Sequence, residues 1–374
     1  MRRAWWLAVV LTLALPACGG HVHEQPTLKQ ATAGLFPVGV GVNDRVPGRS
    51  ADWPLLFAQF SFVTPENSLT PTWVEPAEGV FDFHLADGFV QFAEENDLKV
   101  FGQTLVFARD DAMPRWLLRD GERPASCELL LRRMKRHIDT TVGRYRGRIP
   151  VWSVVNEAID EGPELLRPST FSAACGEAFI VRAFEYAHAA DPGALLVLND
   201  FNNEHPARRA KMFAIVDSLR EAGVPLYAIG LQGHYELDRI PYADLEDTLD
   251  AARAAGVKVA VTELDIDVIP RGGWWAEGGK QRAALSRHDP YRASCPARVL
   301  RRQAAQYAQL MSIFRRHADV IASVSFWDLH DGQSWLNTFP WRRSNHPLLF
   351  DREGRPKPAY DAVIEALLDQ EPSW

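Results

Sequence analysis

The sequence predicts a single (β/α)8 barrel, and three observations carry that prediction. Eight apolar runs of strand length alternate with stretches of helical spacing along the chain. Some of these runs lack polar–apolar alternation, which suits parallel strands buried on both faces. Two of them then deliver a glutamate where the run stops: Ile149-Pro150-Val151-Trp152-Ser153-Val154-Val155-Asn156-Glu157 and Val257-Lys258-Val259-Ala260-Val261-Thr262-Glu263. The C-terminal ends of parallel strands are where α/β folds place their chemistry.

The strand candidates follow in order. Phe36 to Asn43 is the first and Phe60 to Thr64 the second, with Pro65-Glu66-Asn67 directly after it. A helical stretch with Leu85, Phe89, Phe92 and Ala93 on one face leads to a third strand, Lys99 to Val106. An amphipathic helix over residues 126–145, carrying Leu130, Met134, His137, Ile138 and Val142, leads to the fourth, which ends at Glu157. Helical spacing from Phe179 to Ala190 stops at Asp191-Pro192-Gly193, and the fifth strand is Ala194 to Asp200. A helix over 206–222 closes at Gly223, before a sixth strand from Tyr227 running on to His234. A helix ending at Gly256 precedes the seventh, which reaches Glu263. After an irregular stretch over 270–296, a helix from Val299 to His317 leads to the eighth, Ile321 to Trp327.

Composition sets the outer bounds. With 374 residues, 47% of them hydrophobic and 24% charged, the chain is long enough to bury the core of one large barrel. A net charge of −7 with no dense Lys/Arg stripe argues against a nucleic-acid partner. A neutral polymer such as a polysaccharide or oligosaccharide fits this balance, and a monomer is expected.

Residues 1–17 are expected to be a signal peptide. Arg2-Arg3 supplies a basic start, and the apolar run from Ala4 to Leu15 is too short to span a bilayer. The sequence Leu15-Pro16-Ala17-Cys18-Gly19 then resembles a bacterial lipoprotein cleavage site, which implies lipidation at Cys18 and contact with a membrane only through that anchor. A plain signal peptide, leading to a secreted or periplasmic protein, is the alternative. Residues 18–34 are polar and aperiodic and are expected to be a flexible tether, with the barrel domain over 35–374. The remaining cysteines, Cys127, Cys175 and Cys295, match no zinc or redox spacing, and sequence does not choose a pair among them. No metal or cofactor is expected.

Two carboxylates at equivalent strand ends suggest the acid and nucleophile of glycoside hydrolysis. The alternative for each glutamate alone is a strand-end charge reaching solvent. The ordered motifs sharpen the choice. These are Glu66-Asn67, Trp152 to Glu157, Leu198-Asn199-Asp200-Phe201-Asn202, Gly230-Leu231-Gln232-Gly233-His234, Thr262-Glu263-Leu264-Asp265-Ile266, Phe326-Trp327 with Ser334-Trp335, Pro347 to Asp351 and Lys357 to Tyr360. Together they resemble glycoside hydrolase family 10, the endo-β-1,4-xylanases, over about residues 35–365.

The resemblance implies that Glu157 is the general acid/base and Glu263 the nucleophile of a retaining mechanism, which needs carboxyl groups about 5–5.5 Å apart. It implies that Asn156 meets the 2-hydroxyl of the sugar being cleaved, and that His234 and Asp265 orient Glu263. Glu66, Asn67, Gln103, Asn202, Gln232 and His234 would line the sugar cleft, with Trp327 and Trp335 as its aromatic walls. A buried core histidine is the alternative for His234. The chain also departs from the family pattern. Thr70 stands where the family has Lys, Gln103 where it has His, Phe107 and Ala108 where it has Trp and His, and Phe201 where it has Tyr. Those changes put the sugar specificity in question. A β-glycosidase of other specificity is the second reading, and a carbohydrate-binding barrel with little catalysis the third.

Overall fold

The computed structural model describes residues 25–271 and 287–369. Eight parallel strands close on themselves: β1 (Val38–Val42), β2 (Phe62–Pro65), β3 (Lys99–Gly102), β4 (Val151–Asn156), β5 (Leu195–Asp200), β6 (Ala228–Leu231), β7 (Lys258–Asp267) and β8 (Ile321–Trp327). Each pairs with its successor, and β8 returns to β1 with Val40 opposite Phe326 and Gly41 opposite Trp327. Closure leaves the barrel with no open sheet edge. This is the (β/α)8 barrel that the strand count predicts.

The main outer helices are α1 (Trp53–Gln59), α2 (His84–Glu95), α3 (Cys127–Arg144), α4 (Thr170–Cys175), α5 (Ala178–Ala190), α6 (Pro206–Glu221), α7 (Tyr242–Ala255), α8 (Ala297–Arg316) and α9 (Pro358–Leu367). α3 shows why they form. Ser126 caps it by accepting from the Leu129 amide, and Leu130, Met134, Ile138 and Val142 bury at four-residue spacing. Each such side chain contributes about 1.5–3 kcal/mol on full burial. α7 stops at Gly256, whose φ of 68° is the left-handed value that a glycine C-cap adopts without strain. The barrel interior is filled by Phe62, Phe101, Val197, Ala228 and Ala260, and the larger core lies between strands and helices.

The structure corrects the sequence expectation at four places. The segment from Pro26 to Gly34 is not tether. Leu28–Ala31 forms a helical turn with a reciprocal cap between Thr27 and Gln30, Leu28 is buried, and its amide donates to Gln59 Oε1 at 2.9 Å. Tyr360 on α9 closes the contact by donating to the Pro26 carbonyl. The third strand ends at Gly102, and the chain rejoins the sheet at Val106–Phe107 beside β4. The sixth ends at Leu231, because Gly233 has φ of 76°, and His234–Glu236 forms a separate short pairing with β7. That pairing carries β7 on to Asp267, so Glu263 lies inside a strand rather than at its end.

The disulfide joins Cys127 at the start of α3 to Cys175 at the end of α4, and Cys295 is free. The expected signal peptide, Cys18 and residues 18–24 of the tether lie outside the described residues, as does most of the irregular stretch over 270–296.

Candidate active site

β7 carries Glu263 into the mouth of the barrel, where its carboxylate accepts from three side chains. Gln103 Nε2 and Asn199 Nδ2 donate to Oε1 at 2.9 and 2.8 Å, and His234 Nε2 lies 3.2 Å from Oε2. His234 is held in turn by Asp265, 3.1 Å from its Nδ1. Burial opposes a charge on the imidazole, but Asp265 and Glu263 outweigh it and push the group up to about 10. An imidazolium and two amide donors thus face one carboxylate.

Glu157 stands in different surroundings. It follows β4 at φ of 56°, a left-handed conformation that turns the chain sharply where the strand ends. Its amide donates to the Asn199 carbonyl, and Gln232 Nε2 reaches its Oε1 at 3.3 Å. Arg109 Nη1 and Arg167 Nη2 lie 3.5 and 3.7 Å from its Oε2. Burial raises the carboxyl above its ordinary 4.5, against the opposing pull of both arginines.

A chain of amides links the two carboxylates. Gln232 donates to Asn156 Oδ1 at 3.3 Å as well as to Glu157, and Asn199 donates to Asn156 Oδ1 at 2.9 Å as well as to Glu263. The Thr262 hydroxyl fixes the far side of Asn199 at 2.7 Å. So Glu157, Gln232, Asn156, Asn199 and Glu263 form one connected set drawn from β4, β5, β7 and the turn after β6.

The chain matches the model of glycosyl hydrolase family 10 over residues 27–366. It is 36% identical to an endo-1,4-beta-xylanase of Geobacillus stearothermophilus, over 91% of this chain and 98% of that protein. The chain belongs to glycosyl hydrolase family 10. Among solved structures, a family 10 endoxylanase retrieved from a sugarcane soil metagenome superposes with a TM-score of 0.83 at 34% identity, covering 91% of this chain and 99% of that one. A family 10 xylanase of Thermobacillus composti gives 0.77 at 39% identity, over 91% and 99%. This chain is therefore a xylanase-like glycoside hydrolase.

The other expected residues of this family 10 enzyme fall in several settings. Trp335 donates from Nε1 to Asp265 Oδ2 at 2.8 Å, and its half-buried ring lies 4.9 Å from both His234 and Phe339. Trp327 is mostly buried and lies across β1. A Cβ on Gly41 would come within 2.5 Å of the indole, so only glycine lets the ring approach. Glu66 accepts from Asn43 at 3.0 Å, and burial raises its carboxyl above the ordinary value. The Asn67 amide donates to Asp44 at 3.1 Å. Asn202 is exposed at φ of 52°, outside the linked set. Among the described residues no cluster of His, Cys, Asp and Glu is placed to hold a metal ion.

Sequence reasoning passed over Asn199, Arg109, Arg167 and the Asp200–Arg208 pair. Arg208 Nη2 lies 2.6 Å from Asp200, whose other oxygen accepts from the Ile159 amide at 2.8 Å, two residues beyond Glu157. Asn199 and Asp200 were visible within the fifth-strand motif, but nothing local to that strand shows that Asn199 reaches Glu263. Arg109 and Arg167 lie on loops, where sequence carries no periodic signal.

Proposed function

We propose that this enzyme is a retaining β-1,4-xylanase that works by double displacement. The observation that carries the reading is the unequal surroundings of the two glutamates. Glu157 is raised by burial and suits a carboxyl that must hold a proton before the reaction. It would protonate the glycosidic oxygen while Glu263 attacks the anomeric carbon, and the C–O bond to the leaving sugar breaks. The Glu157 carboxylate would then take a proton from water as that water displaces Glu263 from the sugar. Asn156 would offer its amide to the 2-hydroxyl, and Trp335 would present a sugar-facing wall. The endo-1,4-beta-xylanase name of the Geobacillus stearothermophilus relative supports xylan as the substrate.

The test is leaving-group dependence on aryl β-xylosides. Glu263→Ala should abolish turnover of every substrate, whereas Glu157→Ala should spare those with acidic phenols, which need no protonation. Equal loss in both variants on such substrates rejects the assignment.

The substituted positions favour a second reading, a β-glycanase whose preferred sugar is not plain xylose. Gln103 offers an amide in place of an imidazole, and Thr70 and Phe107 are smaller than the family residues. A hydrolysis screen over xylan, substituted xylan, β-glucan and mannan separates the two. The basic start and Cys18 support an exported protein lipidated at that cysteine. Fatty-acid labelling that persists in Cys18→Ser would reject that anchor.

A further inference from the structure

The Arg109 guanidinium is held on three sides. Asp111 takes its Nε and Nη2 in a two-pronged pair at 3.0 and 2.7 Å, and the Phe107 ring lies beneath it at 5.6 Å. Nη1 is left to face Glu157 Oε2 at 3.5 Å. The loop that carries Arg109 is itself pinned, because Asp110 accepts from the amide and hydroxyl of Thr170 at 2.9 and 2.7 Å. Arg167 approaches the same oxygen from the loop after β4, with its guanidinium 5.4 Å from the Phe201 ring. So much anchoring for one exposed-edge arginine needs a reason, and among the described residues the carboxylate it meets beyond its own partner Asp111 is Glu157.

We propose that Arg109 is a positioning residue for Glu157, holding Oε2 and stabilising the carboxylate that forms when the proton passes to the leaving oxygen. The inference rests on the acid/base reading above. During bond cleavage the Glu157 proton goes to the glycosidic oxygen, and a full negative charge appears on the carboxylate beside the guanidinium. An opposite charge already in place needs no rearrangement as that charge grows. Glu157 is faced by Arg109 and Arg167 from the loops, with their partners Asp111 and Glu161 behind them. Glu263 faces it from β7 and Asp200 from β5, both of which disfavour its charge, while Gln232 is neutral. Arg208 pairs with Asp200 and the His234 imidazolium with Glu263, so among the described residues Arg109 and Arg167 are the cations that face Glu157 itself.

The test uses the full-length enzyme and two substrates, a phenyl β-xylobioside and a dinitrophenyl β-xylobioside. Arg109→Met should lower kcat about tenfold on the phenyl substrate and less than about threefold on the dinitrophenyl one, because only the former needs a strong acid. The basic limb of kcat/KM should move up by about one pH unit, since a cation that favoured the carboxylate has gone. Arg109→Lys should bring the limb most of the way back. Equal losses on both substrates with an unmoved limb would mean a structural role only, and would overturn the inference, as would no change at all. Glu157→Gln measured alongside separates the two levels. If it fails to discriminate between the substrates, the acid/base assignment falls and this inference with it. If it discriminates while Arg109→Met does not, this inference alone is rejected.

Discussion

Asn199 Nδ2 donates to Glu263 Oε1 at 2.8 Å and to Asn156 Oδ1 at 2.9 Å, so one amide on β5 ties the carboxylate on β7 to the amide on β4. The bond locks Glu263 in one orientation. Hydrogen bonds to charged groups contribute about 1.5–3 kcal/mol, more than neutral ones. Asn199→Ala should therefore lower kcat/KM by roughly 10- to 100-fold on any substrate. Asn199→Asp should cost more, because it replaces the donor with a like charge. Kinetics within about twofold of wild type in the alanine variant would mean Asn199 does not orient Glu263.

Gly230 on β6 tests the same link from the other side. A Cβ there would fall 2.1 Å from Asn199 Oδ1 and 3.0 Å from its Cα, which is backbone and cannot swing away. Gly230→Ala should push Asn199 off Glu263, with a kinetic loss like that of Asn199→Ala and a stability loss of about 1–3 kcal/mol. Wild-type activity with an unchanged denaturation midpoint would show that the strand moves aside without strain.

Gln103 makes a sharper point about substrate contacts. Its Nε2 is 2.9 Å from Glu263, so the side chain serves the carboxylate as well as any sugar. Gln103→Ala should reduce kcat on aryl substrates that carry a single sugar, where a lost subsite contact would chiefly raise KM. A rise in KM with kcat intact would show that Gln103 acts only as a sugar contact.

The pH dependence of stability should report His234. Its folded value of about 10 lies above the ordinary 6.5, so the folded state holds the proton more tightly than the unfolded chain. That contribution is fully present below about 6.5 and is lost as pH rises towards 10. Denaturant titrations of wild type and His234→Gln at pH 6, 8 and 10 should therefore show the gap between them narrowing as pH increases. A gap of constant size would mean that the imidazole is not charged in the folded protein.

Replacing both Cys127 and Cys175 with serine should lower stability by about 2–4 kcal/mol, the usual range for a loop-closing disulfide. The bridge anchors α4, whose Thr170 holds Asp110 beside Arg109. The variant should thus also lose some activity on poor leaving groups before it unfolds. Unchanged denaturation under reducing conditions would show that the bridge contributes little.

The barrel itself was legible from local patterning. Eight largely apolar runs with helical spacing between them can bury themselves in few other ways, and closure into a barrel follows. Glu157 and Glu263 were legible too, as charges set at or near the end of such a run. What sequence could not carry was contact between strands. Whether Asn199 points at Glu263, whether Trp327 lies over Gly41, and which two cysteines meet all depend on the register of strands and helices far apart in the chain. Boundaries shifted for the same reason. Residues 258–263 look like a complete strand by composition, but His234–Glu236 pairs alongside and extends β7 to Asp267. Leu28 looks like part of a polar tail until Gln59 and Tyr360 are found against its segment. The sequence by itself determined the architecture and the two carboxylates, because both rest on patterns a few residues long. Only the tertiary structure decided what surrounds each carboxylate, because every donor that faces them comes from another strand or loop, and a through-space electrostatic difference has no local signature.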